Sequence, residues 1–309
     1  MDHSIPLVEP LDRNRAFGGL YGSFARGQAG GGVAGVVITG TPLPPGAMQR
    51  VAAEFAAPTT GFVSISEPAA GTTRILGARF FTTRQEIGAC GYVTIALATA
   101  LADLGVWSGR GDGYQIVAAG GTYDLAFRAP EAGSPRPVRL AVKVLGHEAV
   151  ADAGRVRQLT GLEPHGEYRP EVVSTGLRHL IVPVASAAAL RAFVPHRQQA
   201  EELGRAFGAD TIGLVSLDGG TRIHLRDLCA PIGDLEEPAS GTTCAAVADY
   251  LARHGWRPAT ADGGTAAYVI TQGDELGRPS VISAGAPDGD RVVPIAGSAR
   301  PILTGELHV

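Results

Sequence analysis

Lysine is almost missing from this 309-residue chain: Lys143 is the only one, beside 25 arginines. A Schiff-base or pyridoxal phosphate enzyme needs a lysine amine. Lys143 lies in the alternating segment Arg139–Leu145, which predicts a strand with that side chain facing solvent. Cysteine is scarce too. Cys90, Cys229 and Cys244 are too few and too scattered for a disulfide framework or a zinc cage. The eight histidines show no metal-ligand spacing, and His147, His165 and His196 fall in stretches that read as loops, so no metal is expected. No uninterrupted apolar run of about 18 residues occurs, so no helix spanning a membrane is expected. The amino terminus lacks the charged and apolar segments of a signal peptide. With a net charge of −4 and no basic stripe, nucleic acid is not an expected partner. Together these absences predict a cytoplasmic protein working without a cofactor.

What the chain has in quantity is alanine and glycine, the composition of a GC-rich genome, and it repeats itself. Glu86–Gly105 matches Glu236–Gly255 at an offset of 150, with Glu86/Glu236, Ala89/Ala239, Gly91/Gly241, Ala96/Ala246, Ala98/Ala248, Leu101/Leu251, Ala102/Ala252 and Gly105/Gly255 identical. Each copy predicts an Ala-rich helix with a glycine at its start and another just past its end. Upstream, Phe55–Ser64 matches Phe207–Ser216 at an offset of 152. The order in each half reads as helix (Ala47–Phe55; Arg197–Phe207), strand, second strand (Thr73–Thr82; Thr221–Leu228), then the Ala-rich helix. This predicts a duplicated α+β protein, 1–135 and 136–309, joined near the Pro-rich stretch Ala129–Pro137, with the last strand able to return to the first domain.

A helix that is small and apolar nearly all round belongs inside a domain, enclosed by sheet. The free N–H groups at its start favour an anion. The two starts, at Gly91 and Gly241, are therefore expected to hold a small carboxylate across a cleft. A rival motif, Gly30–Gly35, fits G-x-G-x-x-G, but Val36-Val37-Ile38 reads as strand and Pro42, Pro44 and Pro45 exclude the helix that would hold a pyrophosphate.

These segments, in this order, resemble the phenazine-biosynthesis (PhzF-like) family. The resemblance rests on Gly31–Val37, Met48–Glu54, Arg79–Glu86 with Cys90-Gly91, Ser174–Leu180, Glu236-Glu-Pro-Ala-Ser-Gly-Thr242 and Gln272–Ser280. It implies the diaminopimelate epimerase-like fold: two pseudo-symmetric domains, each a barrel-like sheet wrapped around a central helix, with an active site between them and commonly a homodimer. It also implies a cofactor-independent isomerase that shifts a proton and a double bond.

Departures from the family pattern are as informative. Thr59 stands where the family carries its proton-shuttling glutamate, and a threonine hydroxyl cannot serve unaided as a general base. Tyr92 replaces the family's histidine, Gly32 its asparagine, Glu237 its aspartate and Thr242 its serine. Glu237 is the expected proton carrier, or else a carboxylate capping a helix. Tyr92 is a proton or hydrogen-bond donor, or an aromatic filling the cleft. Glu86 is a catalytic candidate, or else ties down its loop; Glu236 is a capping or structural group, or touches ligand. Gly91, Gly241, Thr242, Ser240, Cys90 and Thr59 are expected to line the substrate. Racemases of this fold pair a thiol at each helix start; here Ser240 faces that role opposite Cys90, which removes the two-thiol mechanism. The expected reaction is a proton and double-bond shift in a small unsaturated carboxylic acid of natural-product (antibiotic) biosynthesis, such as a dihydro-hydroxyanthranilate-like acid or an alkylproline-type pyrroline carboxylate. The alternatives are a non-catalytic carboxylate-binding protein and an amino-acid epimerase or racemase.

Overall fold

The two Ala-rich segments form helices of equal length. The computed structural model describes residues 15–65, 75–128, 136–150, 152–217, 222–257, 259–260 and 266–308. Residues 129–135 of the expected linker, and Thr73, Arg74 and Thr221 of the expected strands, lie outside the described residues. The chain forms two compact units. The first is built on Gly32–Leu140, joined by the strand that ends before Ala25 and by the segment from Gly297 onward. The second comprises Arg26–Gly31 and Ala141–Ala296.

In the first unit the order is β1 (Arg15–Ser23), β2 (Gly32–Thr39), α1 (Pro45–Phe55), β3 (Thr59–Ser64), β4 (Ile75–Thr82), β5 (Glu86–Ile87), α2 (Gly91–Asp103), β6 (Gly111–Ala118) and β7 (Gly121–Phe127). β8 (Val138–Lys143) carries the chain across the boundary, with Lys143 exposed at its end. The second unit runs β9 (Gly146–Ala149), α3 (Ala153–Thr160), β10 (Glu171–Ser174), β11 (Arg178–Val184), α4 (Ala187–Ala192), α5 (Arg197–Phe207), β12 (Thr211–Ser216), β13 (Arg222–Leu228), β14 (Glu236–Glu237), α6 (Gly241–Arg253), β15 (Ala259–Thr260), β16 (Ala266–Gln272), β17 (Ser280–Gly285) and β18 (Val292–Gly297). β19 (Ala299–His308) then pairs antiparallel with β1 of the first unit. The result is a mixed α+β fold with two sheet-plus-helix regions.

Strand pairing recurs along with element order. β2 runs parallel to β3, which pairs antiparallel with β4, and β4 with β5. In the second unit β11 runs parallel to β12, β12 antiparallel to β13, and β13 to β14. A parallel step needs a crossover, and the preceding helix supplies it: α1 in one unit, α4 and α5 in the other. α1 and α5 both end on a left-handed residue, Ala56 (φ 52°) and Gly208 (φ 59°).

Both central helices are buried on every side. In α2 each residue from Tyr92 to Leu101 is buried, as a helix without a polar face must be. α6 is the same from Thr243 to Leu251, although it includes a charge, Asp249. Arg253 and Arg291 pair with that carboxylate at 2.9 and 2.7 Å, which makes its burial tolerable.

Glycine sets how closely each helix approaches its sheet. A Cβ on Gly61 of β3 would come within 2.7 Å of Leu97 and Val93 in α2. Its counterpart Gly213 of β12 lies against Thr243 of α6, at 3.2 Å. In antiparallel sheets directly opposed residues share a face. Gly61 is opposed to Phe80 and Phe80 to Ile87; Gly213 is opposed to Asp227 and Asp227 to Glu237. The row facing α2 therefore reads Gly61–Phe80–Ile87, and the row facing α6 reads Gly213–Asp227–Glu237.

Candidate active site

The second unit carries a polar cluster at the start of its central helix. Glu237 ends β14, and Pro238–Ser240 turns the chain into α6. Gln272 clamps this turn from β16: its Nε2 donates to the Glu237 carbonyl at 2.6 Å, and its Oε1 accepts from Ser240 N–H at 3.2 Å. Ser280 Oγ donates to the Pro238 carbonyl at 2.7 Å. Ser240 is the N-cap of α6, accepting from Thr243 N–H at 3.3 Å. The same hydroxyl donates to Thr243 Oγ1 at 2.8 Å and lies 3.5 Å from Thr242 Oγ1.

Behind the helix start lies a hydrogen-bonded line centred on the fully buried His179, Thr243 and Asp227. Thr243 Oγ1 donates to Asp227 Oδ2 at 2.7 Å and lies 3.2 Å from His179 Nδ1. His179 Nδ1 also meets Thr211 Oγ1, and its Nε2 meets Thr175 Oγ1, both at 2.8 Å. Burial pulls the imidazole down to about 3, so it is neutral. The neutral ring thus has a hydroxyl partner on each nitrogen, Thr175 on Nε2 and Thr211 on Nδ1, able to serve as donor or acceptor.

Two carboxyls in this cluster are displaced toward their neutral forms. Burial pushes Asp227 up to about 6, against the pull of hydrogen-bond donors led by Thr243. Burial pushes Glu237 further, to about 8, and the charges of Asp227 and Asp234 add to it. Glu237 is half-buried, whereas Asp227 is fully buried. Among the described residues neither carboxyl forms an ion pair, and Asp227 Oδ1 has no hydrogen-bond partner. Glu237 is thus a proton-bearing carboxyl near neutral pH at the foot of a helix start.

Glu236, its neighbour, faces the other way. It forms a two-pronged pair with Arg226 at 2.8 and 2.6 Å, and Arg226 donates onward to the Leu190 and Phe193 carbonyls. That arrangement ties β13 to α4 and leaves Glu236 structural. Glu86 makes the matching pair with Arg79 at 2.7 and 2.6 Å on an exposed surface, and the arginine's hydrogen bonds hold its carboxyl below the ordinary range.

In the first unit the remaining expected residues gather at the start of α2. Cys90 is the half-buried N-cap residue and makes no side-chain cap. Gly91 opens the helix, and Tyr92 is buried with its ring against Gly32 and its carbonyl accepting from Ser23 Oγ at 2.7 Å. Thr59 is buried at the start of β3, opposed to Ala34 and Thr82. Where the second unit has Asp227 and Glu237, the first has Phe80 and Ile87. The row of the first unit therefore carries no carboxyl at these two positions.

Reading the sequence missed Asp227, His179, Thr243 and Gln272. Asp227 carried a signal, since Ile223, Leu225 and Asp227 share one face of a strand and a charge ends an otherwise apolar row. His147, expected in a loop, lies on β9, opposed to Val173; Gly146-His147-Glu148-Ala149 shows no apolar alternation, which hid a short strand. The glycines of the rival motif have a structural use. A Cβ on Gly30 (φ 117°) would sit 2.3 Å from the Pro279 carbonyl, and Arg278 donates to the Gly30 and Gly31 carbonyls at 2.9 and 2.8 Å. No helix follows them until α1.

Among the described residues no group of three His, Cys, Asp or Glu is placed to hold a metal ion. No helix among them is long and apolar enough to cross a membrane.

Comparison with known proteins decides the family. The model of the phenazine biosynthesis-like (PhzC-PhzF) proteins matches residues 21–305. The chain belongs to this family. An uncharacterized isomerase of Deinococcus radiodurans is 31% identical over 258 residues, covering 82% of this chain and 80% of that protein. A predicted epimerase of Pseudomonas aeruginosa shares the fold at a TM-score of 0.74 and 26% identity, covering 96% of this chain and 99% of the other. A PhzF-family phenazine biosynthesis protein of Bacillus anthracis has the same fold at a TM-score of 0.78 and 19% identity, with 96% and 99% covered.

Proposed function

We propose that this PhzF-like protein is an isomerase that moves a proton, and with it a double bond, in a small unsaturated carboxylic acid. The observation that carries the reading is Glu237: a carboxyl pushed up to about 8 beside the start of α6. A general acid–base works best when its pKa lies near the working pH. In its charged form Glu237 takes a proton from the substrate carbon, and the electron pair passes into the conjugated system. In its acid form it returns a proton at the conjugated carbon. The substrate carboxylate takes the free N–H groups of Gly241 and Thr242, where the helix dipole favours negative charge. Within the first unit, Tyr92 and Glu86 are the further catalytic candidates, and Gly91, Cys90 and Thr59 are substrate-binding candidates. The relatives named as isomerases support the reaction class.

The reading takes the enzyme as a cytoplasmic homodimer of two pseudo-symmetric barrel-and-helix domains that needs no cofactor. Its substrate class is a dihydro-hydroxyanthranilate-like acid or a pyrroline carboxylate bearing an unsaturated side chain. A two-thiol racemase is disfavoured by Ser240, whose hydroxyl is committed to capping α6. The test is incubation with both acids in D₂O, reading deuterium uptake by mass spectrometry and double-bond position by ultraviolet absorbance. Exchange that falls about 10²–10⁴-fold in Glu237→Gln supports the reading. Exchange that survives that substitution, or is absent with both acids, rejects it.

A further inference from the structure

The residue opposite Glu237 is unusual for a strand facing a central helix. Gly213, Asp227 and Glu237 form one row across three strands, and cross-strand neighbours bring their Cβ atoms to within about 4.5–5.5 Å. Like charges so placed repel, and more strongly away from water. The equivalent row of the first unit solves this with Phe80 and Ile87. A fully buried aspartate in that place is costly unless neutral or paired, and the cation next to it does not help. Arg226 points to the opposite face and is committed to Glu236. His179, the basic group nearest to Asp227 through Thr243, is neutral. The other titratable groups around the row are Asp234, Cys229 and Cys244, and none of them supplies positive charge. Thr243 fixes Oδ2 of Asp227 at 2.7 Å, while Oδ1 is buried without a partner. An unsatisfied buried oxygen in a rigid polar line calls for a proton of its own or for one to share.

We propose that Asp227 and Glu237 form a single acid pair holding one proton between them, with Asp227 the positioning residue for the proton that Glu237 moves. The pair carries one negative charge and one proton. Taking a proton from the substrate carbon leaves it neutral with two, and the electron pair stays in the conjugated substrate. Returning one proton at the conjugated carbon restores the starting state, so no second base is required. This supplies what Thr59 lacks, since a threonine hydroxyl is no base. The inference rests on the isomerase reading for its chemistry, but its physical content is a coupling between two carboxyls.

The test is a ¹³C NMR titration of the full-length protein, labelled at Glu Cδ and Asp Cγ, with each signal assigned by its loss in Glu237→Gln or Asp227→Asn. In the wild type the two signals should titrate together, in two steps. In Asp227→Asn the Glu237 midpoint should fall by about one unit or more, because a like charge has been removed. Glu237→Gln, at a half-buried position, should lower the Asp227 midpoint reciprocally, and it carries the test alone if the aspartate variant fails to fold. Midpoints that ignore each other overturn the pair. Parallel D₂O exchange on the dihydro-hydroxyanthranilate and pyrroline acids separates the two ideas. Exchange that depends on Glu237 with uncoupled midpoints removes the pair and keeps the isomerase; coupled midpoints without exchange keep the pair and remove the isomerase.

Discussion

Arg226 and Glu236 form a two-pronged ion pair with each side chain only 3% exposed, whereas its counterpart, Arg79 with Glu86, is 39% and 38% exposed. The same local geometry therefore sits in two dielectric settings. Removing one partner of a buried pair strands a charge and costs about 3–5 kcal/mol. An exposed pair is worth about 0–1 kcal/mol. Glu236→Gln should lower the urea midpoint strongly and Glu86→Gln hardly at all, measured by far-ultraviolet circular dichroism. Equal losses would mean that Glu86 holds more than a surface loop.

A second contrast concerns the glycines beneath the central helices. A Cβ at position 61 meets Leu97 Cδ1 and the β-branched Val93 at 2.7 Å, inside a packed core. At position 213 the neighbours stand at 3.2–3.4 Å. Overpacking a core typically costs about 1–3 kcal/mol. Gly61→Ala should fall within that range, and Gly213→Ala should cost visibly less. Thermal unfolding of the two variants checks the order, and a reversed order would show that the helix-to-sheet spacing is softer in the first unit.

Both central helices, the crossover helices α1 and α5 and the strands that follow them were legible in the sequence, because alanine and glycine patterning reports directly on burial and close approach, whereas the short α4 was not. The helices expected to end at Phe55 and Phe207 do end there. β5 and β14 were not legible: two residues are too few to show alternation, yet they position Glu86 and Glu237. Glu237 itself was legible through the family motif that contains it. Its partner was not, since the relation between Asp227 and Glu237 is one of strand register across a turn, and register is a product of tertiary pairing. The roles of His179 and Gln272 arise in the same way, from strands that meet α6 only after folding.

Gln272 offers a check on how the Glu237 turn is held. Its amide bonds both ends of the turn, to the Glu237 carbonyl and the Ser240 N–H, and it is fully buried. Leucine is close in size and makes neither bond. Each buried polar group left unsatisfied costs about 1–3 kcal/mol. Gln272→Leu should therefore lose stability, and kcat should fall more than KM rises, because the turn carries the acid–base group. Gln272→Glu, able to accept from Ser240 but carrying charge toward Glu237, should not restore turnover. A variant with wild-type kcat would remove Gln272 from the support of the site.

The raised carboxyls also set how stability depends on pH. A carboxyl with a higher pKa in the fold than in the unfolded chain keeps its proton longer when folded. Unfolding then releases a proton, so stability falls as pH rises through the interval between the two values and is level above it. For Glu237 the interval runs from about 4.5 to about 8, and for Asp227 from 3.8 to about 6. The contribution of both groups is intact at the acid end and lost toward neutral and mildly alkaline pH, opposite to the usual salt-bridged carboxylate. Glu237→Gln cannot ionise, and it also relieves Asp227 of a like charge. Urea midpoints at pH 5 should therefore be similar for the two proteins, and by pH 9 the variant should be the more stable. The gap should open mostly below pH 8, where Glu237 completes its ionisation. A gap that stays constant from pH 5 to pH 9 would show that Glu237 titrates as an ordinary carboxylate, and both its role as the acid–base group and its pairing with Asp227 would have to be given up.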